Sequence, residues 1–140
     1  MVLVTRKVHF SASHRLYNPD LSDEQNEKIF GICNNPMGHG HNYELEVTVR
    51  GEIAPATGMV IDLKQLHEIL RREIIDRVDH KHLNYDVDFL QGVVPTAENL
   101  AQKFWTILQN KITTGELYEI KLFESANNFV TYRGDANSAR

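Results

Sequence analysis

Two histidines one residue apart, His39 and His41, stand at the beginning of a run in which apolar residues alternate with polar ones. Side chains at positions i and i+2 of a β-strand leave the same face, so both imidazoles can bind one ion. His14 ends a second alternating run, in which the even positions from Val8 are apolar or small. Pairing of the two strands would bring three imidazoles together. Three protein nitrogens with one open position form the ligand set of a catalytic zinc site.

A lone histidine on an apolar face is more often a hydrogen-bonded core residue than a metal ligand. Three neutral imidazoles buried without partners would be costly, however, and this favours the metal site over three separate core residues. Gly40, between the two histidines, is consistent either with a close backbone approach or with a simple turn into the strand.

Cys33 is the only cysteine of the chain and precedes His39 by five intervening residues. A single cysteine cannot form an internal disulfide, so the fold does not depend on an oxidising compartment. Close to histidines, such a thiol reads as reactive rather than structural. A free cysteine is also a common small core residue, which is the alternative.

Length, charge and composition limit the classes of protein to which this chain can belong. We expect residues 1–140 to form a single domain, since this length buries about two thirds of the unfolded surface in one core. The net charge of −4 and the sequence pI near 5.9 provide no basic stripe, which argues against nucleic-acid and anionic-membrane partners. The first 14 residues lack the pattern of a signal peptide, and no run is long enough to span a membrane. These features predict a soluble cytoplasmic protein.

The elements that would position these side chains follow from periodicity. Two-residue alternation predicts strands near Leu3–Ser13, Asn42–Glu52, Leu117–Glu124 and Asn128–Arg133. Capping residues and helical spacing predict a short helix, Asp23–Phe30, and two amphipathic helices, from Asp62 to Val78 and from Thr96 to Ile112.

Apart from the short helix, the order is ββααββ. It predicts an α+β fold, a four-stranded antiparallel sheet with two helices on one face. Open sheet edges are often protected by pairing with other subunits, so we expect an oligomer. The tail from Asp135 to Arg140 has the composition of a frayed terminus.

Glu124 shares a strand face with Ile120 and Leu122, and it therefore ends an otherwise apolar row. The carboxylate either bends into solvent at the strand end or points into a pocket. In a pocket it can accept two N–H bonds from a planar heterocycle.

The chain closely resembles the 6-pyruvoyl-tetrahydropterin synthase family, from about Arg6 to Gly134. The spacing of Cys33 and the His-Gly-His-Asn motif favours this family over 6-carboxy-tetrahydropterin synthases, in which three residues usually intervene. The cysteine also argues against relatives that carry a glutamate there. The matching segments are residues 10–16, 21–24, 33–43, 56–60, 79–81, 96–99 and 127–128.

The resemblance implies the tunnelling fold, in which subunits close into trimeric barrels that stack in pairs as homohexamers. It implies a lyase of tetrahydrobiopterin biosynthesis that acts on 7,8-dihydroneopterin triphosphate. Triphosphate is eliminated, and an internal redox rearrangement gives 6-pyruvoyl-tetrahydropterin without an external redox cofactor. One Zn²⁺ per subunit is expected, and Mg²⁺ accompanying the substrate triphosphate.

The resemblance also assigns roles to residues. His14, His39 and His41 would hold zinc, and Cys33 would be the general base. The charge that favours its thiolate would come from His80, oriented by Asp79, of an adjacent subunit. Alternatively, a histidine that follows a helix can simply interact favourably with the negative end of the helix dipole.

Glu124 matches the pterin anchor of the family, and the resemblance implies that it is a catalytic as well as a substrate-binding residue. Thr96 and Glu98 match a motif that helps line the pterin pocket, although they suit a helix N-cap and first turn equally well. The chain departs from the family at His82, where the motif often has asparagine. The alternatives are a 6-carboxy-tetrahydropterin synthase-like or sepiapterin-processing enzyme and a non-catalytic zinc- or pterin-binding protein.

Overall fold

Two long antiparallel strands form the centre of the molecule. The computed structural model describes residues 1–135, and in it β1 (Val2–His14) pairs with β2 (His39–Gly51) along their whole length. Apolar and polar positions alternate along both strands, so one face is buried and the other faces outward. Both strands extend as far as the histidines, which were expected at the end of one strand and just before the start of the other.

The complete sheet has five strands and is mixed, so the expectation of a four-stranded antiparallel sheet is wrong. The order is β3-β1-β2-β4-β5, and the added strand runs parallel to the end of β1. It has two residues, too few for any periodicity to appear in the sequence. The remaining strands are β3 (Lys81–His82), β4 (Glu116–Phe123) and β5 (Phe129–Tyr132).

The predicted helices are confirmed, with one local difference. The second continues through π-type turns at Arg71–Ile75 before it ends, so its hydrogen bonding is wider there than in a regular α-helix. At the first helix both bonds of the predicted capping box are formed by Ser22 and Gln25. The helices are α1 (Asp23–Phe30), α2 (Leu63–Leu70), α3 (Asp76–Val78) and α4 (Ala97–Gln109), with short 3₁₀ turns at Gly31–Asn34 and Asp88–Leu90.

The core lies between one face of the sheet and helices α2 and α4. Phe10 of β1 stacks on Tyr43 of β2 with ring centroids 4.7 Å apart, and it meets Phe104 of α4 edge-on. Both Tyr43 and Phe104 are essentially inaccessible to solvent. Truncation of Phe104 to alanine is expected to cost about 3–5 kcal/mol. This packing fixes the strand ends that carry the histidines.

Both edges of the sheet remain open within the described chain. On one side β3 covers β1 only at Ala12 and Ser13, and on the other side β5 is the last strand. The oligomer predicted from such edges stays a prediction. The predicted frayed tail lies, apart from Asp135, outside the described residues. No helix within residues 1–135 is both long and apolar enough to cross a membrane.

Candidate metal centre and active site

Strand register brings the three predicted histidines together. His14 lies directly opposite His39 and Ala12 lies opposite His41, so all three imidazoles leave the buried face at one end of the sheet. The Nε2 atoms of His14 and His39 are 3.1 Å apart. The ring centroids of His41 lie 5.1 and 4.8 Å from those of His14 and His39. The predicted cluster is therefore present.

Glu124 joins this cluster from the residue after β4. Its Oε1 atom lies 2.9 Å from Nε2 of His41 and 3.8 Å from Nε2 of His14. One ligand atom from each of the four residues lies within 4.8 Å of all the others. Within a single chain, the carboxylate thus points to the metal-binding atoms rather than into solvent.

These four atoms fit a metal ion. Two imidazole nitrogens on one tetrahedral zinc lie about 3.3 Å apart, since each Zn–N bond is about 2.0–2.1 Å, and the 3.1 Å between His14 and His39 is close to this value. Nε2 of His41 is buried and has no hydrogen-bond partner in the described part of the chain, because its approach to Glu124 lacks hydrogen-bond geometry. A cation would satisfy this nitrogen and relieve the repulsion between converging lone pairs.

The orientation of His14 is set by its other ring nitrogen. Nδ1 lies 2.8 Å from the carbonyl oxygen of Pro95, which accepts its hydrogen, and 3.3 Å from the hydroxyl of Tyr43. With Nδ1 protonated, the lone pair of Nε2 points into the cluster. Ligating histidines commonly use such a carbonyl to fix their tautomer.

Burial controls the electrostatics of the cluster. It lowers the pKa of His14 and of His41, and for both the nearby Glu124 carboxylate opposes the shift. Both imidazoles are therefore neutral at pH 7, the form that binds a metal. Burial also raises the pKa of the Tyr43 hydroxyl, which stays protonated.

Cys33 lies near this end of the sheet but not in the ligand group. It belongs to the 3₁₀ turn after α1, where its carbonyl accepts a 2.9 Å hydrogen bond from the amide of Leu16, two residues after His14. Its side chain is partly exposed and is a free thiol. Among the described residues, the cluster within 4.8 Å contains no cysteine.

Asp79 and His80 form a pair beside β1, directly before β3. Nδ1 of His80 lies 3.0 Å from Oδ1 of Asp79, and the His80 side chain is 82 % exposed. A hydrogen bond from the amide of Ser11 is the main reason why the pKa of Asp79 is below its usual value. His80 lines a cleft of about 530 Å³ with Ser13 and Asn42, and it is not a member of the metal cluster.

Thr96 and Glu98 occupy the beginning of α4. The Thr96 hydroxyl accepts a 3.2 Å hydrogen bond from the amide of Asn99, so the N-cap is formed as predicted. Glu98 is exposed in the first turn, where its charge suits the helix dipole. Because Pro95 precedes the cap, the start of α4 lies beside the metal cluster.

Comparison with known proteins identifies the family of the chain. The family model for 6-pyruvoyl tetrahydropterin synthase matches residues 3–135. The chain belongs to the 6-pyruvoyl tetrahydropterin synthase family. The resemblance read from the motifs of the sequence is therefore confirmed.

Several relatives are named as synthases of this family. The 6-pyruvoyl tetrahydrobiopterin synthase of Homo sapiens is 52% identical over 132 residues, which cover 94% of this chain and 91% of that protein. The solved structure of the Caenorhabditis elegans 6-pyruvoyl tetrahydropterin synthase has a TM-score of 0.91 at 41% identity, with 96% of each chain covered. A 6-carboxy-5,6,7,8-tetrahydropterin synthase of Rickettsia conorii is 30% identical, over 94% of this chain and 90% of that protein.

Tyr43 and Pro95 lie beside the cluster, and neither was predicted as a site residue. Tyr43 shares the strand face of His39 and His41, and this parity could have identified it as a neighbour of the ligands. Pro95 contributes a backbone carbonyl from far along the chain. No sequence pattern predicts a contact between a side chain and such a distant backbone carbonyl.

Proposed function

We propose that this protein is a 6-pyruvoyl-tetrahydropterin synthase, a carbon–oxygen lyase that eliminates triphosphate from 7,8-dihydroneopterin triphosphate. The hydrogens then move within the substrate, so that the side-chain hydroxyls become ketones while the pterin ring is reduced. The main support is the cluster of His14, His39, His41 and Glu124 in a chain 52% identical to the human synthase. A cytoplasmic location stays part of this proposal.

The metal ligands of the proposed enzyme are His14, His39 and His41, with one Zn²⁺ per subunit. When bound, zinc supplies Lewis-acid chemistry that makes C–H and O–H protons beside the coordinated oxygens easier to remove. Burial keeps the imidazoles of His14 and His41 neutral, and the Pro95 carbonyl holds the His14 ring in place. Mg²⁺ is proposed to accompany the substrate triphosphate.

Cys33 is proposed as the general base that accepts a proton from the substrate side chain. A free thiol titrates near ~8.5, so a positive charge close by is needed to favour the thiolate. His80, oriented by the Asp79 carboxylate, is the proposed source of this charge. His80 lines its own chain's outer cleft and is largely exposed, which leaves it free to approach Cys33 of a neighbouring subunit.

An intersubunit site requires an oligomer, and we propose a homohexamer built as a dimer of trimeric barrels. The open edges of β1 and β5 support this arrangement, because unpaired strand edges can hydrogen-bond to the next subunit. In such a ring each site would draw on more than one chain.

Glu124 is proposed as the pterin anchor. Its carboxylate can accept from the ring N3–H and the 2-amino group together. The side chain is 28 % exposed, so a ligand can reach it, and its 2.9 Å approach to His41 supports a pterin pocket that adjoins the proposed metal site. Thr96 and Glu98 are proposed to line the same pocket in addition to starting α4.

Two other functions need to be separated from this one. A 6-carboxy-tetrahydropterin synthase is disfavoured by the five residues between Cys33 and His39 and by the lower identity, 30% against 52%. A non-catalytic zinc or pterin protein is disfavoured by the partly exposed thiol near the cluster. Product analysis by mass distinguishes all three, because only the proposed reaction releases triphosphate and keeps every side-chain carbon.

A further inference from the structure

Two backbone groups of Ser11 in β1 hold the Asp79–His80 pair against the edge of the sheet. Its amide donates a 2.9 Å hydrogen bond to Oδ1 of Asp79. Its carbonyl accepts a 2.6 Å hydrogen bond from the amide of His80. The same Oδ1 atom lies 3.0 Å from Nδ1 of His80, so one strand residue holds both the carboxylate and the backbone of the histidine.

The Ser11 side chain binds to the neighbouring strand on the other side, β2. Its hydroxyl donates a 2.7 Å hydrogen bond to Oδ1 of Asn42, its cross-strand partner on β2. Asn42 directly follows the predicted metal ligand His41. A chain of hydrogen bonds therefore runs from the metal-ligand strand through Ser11 to Asp79 and His80.

His80 has little else to hold it. Its side chain is 82 % exposed, so packing does not select its rotamer. Its backbone has a φ of +62°, and it is the one non-glycine residue with positive φ in the described part of the chain. A left-handed histidine is maintained only where surrounding bonds over-determine it. The bonds to Ser11 act directly on His80 and its Asp79 partner, while the Asp79 amide bonds to the Ile75 carbonyl and the following residues pair with β1.

We propose that Ser11 is a positioning residue for His80, and that Asn42 acts on His80 through the Ser11 hydroxyl. The hydroxyl bond adds a side-chain link to the β1–β2 pairing at Ser11, and the Ser11 amide and carbonyl set the direction of the Asp79 carboxylate and the His80 ring. The catalytic consequence rests on the proposed function of His80, but the effect on the His80 ring does not.

A matched pair on the same two strands provides the control. The hydroxyls of Thr5 and Thr48 form a cross-strand bond of 2.7 Å, the same length as the bond from the Ser11 hydroxyl to the Asn42 amide oxygen, but this pair lies six residues further back along β1, away from Asp79. Ser11→Ala and Thr5→Val each remove one such bond. The readouts are the imidazole resonances of His80 in ¹³C-histidine-labelled protein, assigned with His80→Gln, together with kcat, KM and zinc content.

We expect Ser11→Ala to shift the His80 resonances and to lower kcat about 3- to 10-fold, as expected for one hydrogen bond, with KM and zinc content unchanged. Ser11→Thr should restore the His80 resonances and kcat. Thr5→Val should change neither the resonances nor kcat. Asn42→Ala should reproduce the His80 shift if Ser11→Ala does not fold.

Unchanged His80 resonances in Ser11→Ala and Asn42→Ala would overturn the proposal, as would an equal shift in Thr5→Val. If the wild-type protein shows no turnover, the proposed function fails. The resonances still decide whether Ser11 positions His80, so the two failures are distinguishable.

Discussion

Nδ1 of His14 lies 2.8 Å from the carbonyl oxygen of Pro95, a residue 81 positions further along the chain. Pro95 immediately precedes the N-cap of α4, so the start of this helix determines how the His14 ring is turned. The hydrogen bond uses Nδ1 and leaves Nε2 for the cluster. The orientation of this candidate metal ligand therefore depends on the packing of α4 against the sheet.

Removal of a predicted ligand should remove the metal. We expect His39→Ala to lose stoichiometric zinc and turnover together, because Nε2 of His39 is one of the four converging ligand atoms. In the wild-type protein, free zinc at 100 times its dissociation constant should add about 2.7 kcal/mol to the free energy of unfolding. Metal analysis and thermal unfolding with and without a chelator measure both effects. Full zinc content in His39→Ala would contradict the ligand assignment.

Cys33→Ala should retain zinc and lose turnover, since the thiol is outside the ligand group. Co-expression with His80→Gln tests where the base and its partner reside. If they come from different subunits, random mixing of the two inactive chains leaves both groups intact in about a quarter of the sites. Measurable activity of the mixed protein is the expected result. A completely inactive mixture would place Cys33 and His80 in a site within one chain.

Glu124→Gln should separate pterin binding from metal binding. If the carboxylate anchors the pterin, the amide variant keeps its zinc, while KM for the substrate rises and kcat falls. Loss of zinc would instead make Glu124 a ligand, as its 2.9 Å approach to His41 permits. Glu52→Gln, at an exposed position just after β2, is the control for removal of one carboxylate outside the proposed pocket.

Tyr43→Phe should affect stability more than chemistry. The hydroxyl lies 3.3 Å from Nδ1 of His14, whose stronger contact is to Pro95, so His14 keeps its orientation. The free energy of unfolding should fall by about 1 kcal/mol, the usual net contribution of a buried hydrogen bond. Denaturant unfolding measures this change against Tyr85→Phe, which alters an exposed ring. Loss of zinc in Tyr43→Phe would show that Pro95 alone does not orient His14.

Asp79 should make stability dependent on pH. Its pKa is lowered in the folded protein, chiefly by the Ser11 amide, so the carboxylate stabilises the fold above about pH 4. This contribution is lost as the pH falls through the folded pKa. Asp79→Asn keeps an oxygen for the Ser11 amide but lacks the titration. The difference in unfolding free energy between the two proteins should therefore shrink at acid pH, and a constant difference would contradict the assigned interaction.

The sequence was most informative where short-range patterns carried the signal. Alternation fixed the faces of β1 and β2, and with them the convergence of His14, His39 and His41. Local side-chain chemistry predicted the caps at Ser22 and Thr96, which the structure contains. These predictions depended on residues close together in the chain.

Contacts between distant backbone groups could not be predicted in the same way. Strand β3 has two residues and exists because the amides of His80 and Leu83 reach the carbonyls of Ser11 and Ser13. The Pro95 carbonyl beside His14 is likewise independent of side-chain type. Glu124 was correctly placed on the apolar face, but its approach to His41 depends on how the chain turns after β4.

The most direct test is to incubate the zinc-loaded protein with 7,8-dihydroneopterin triphosphate and Mg²⁺, and to follow triphosphate release and pterin products by mass. His39→Ala, treated identically, is the control. We predict one triphosphate for each 6-pyruvoyl-tetrahydropterin formed by the wild-type protein and no product from the variant. Formation of a carboxy-tetrahydropterin, or no product despite bound zinc, would contradict the proposed function.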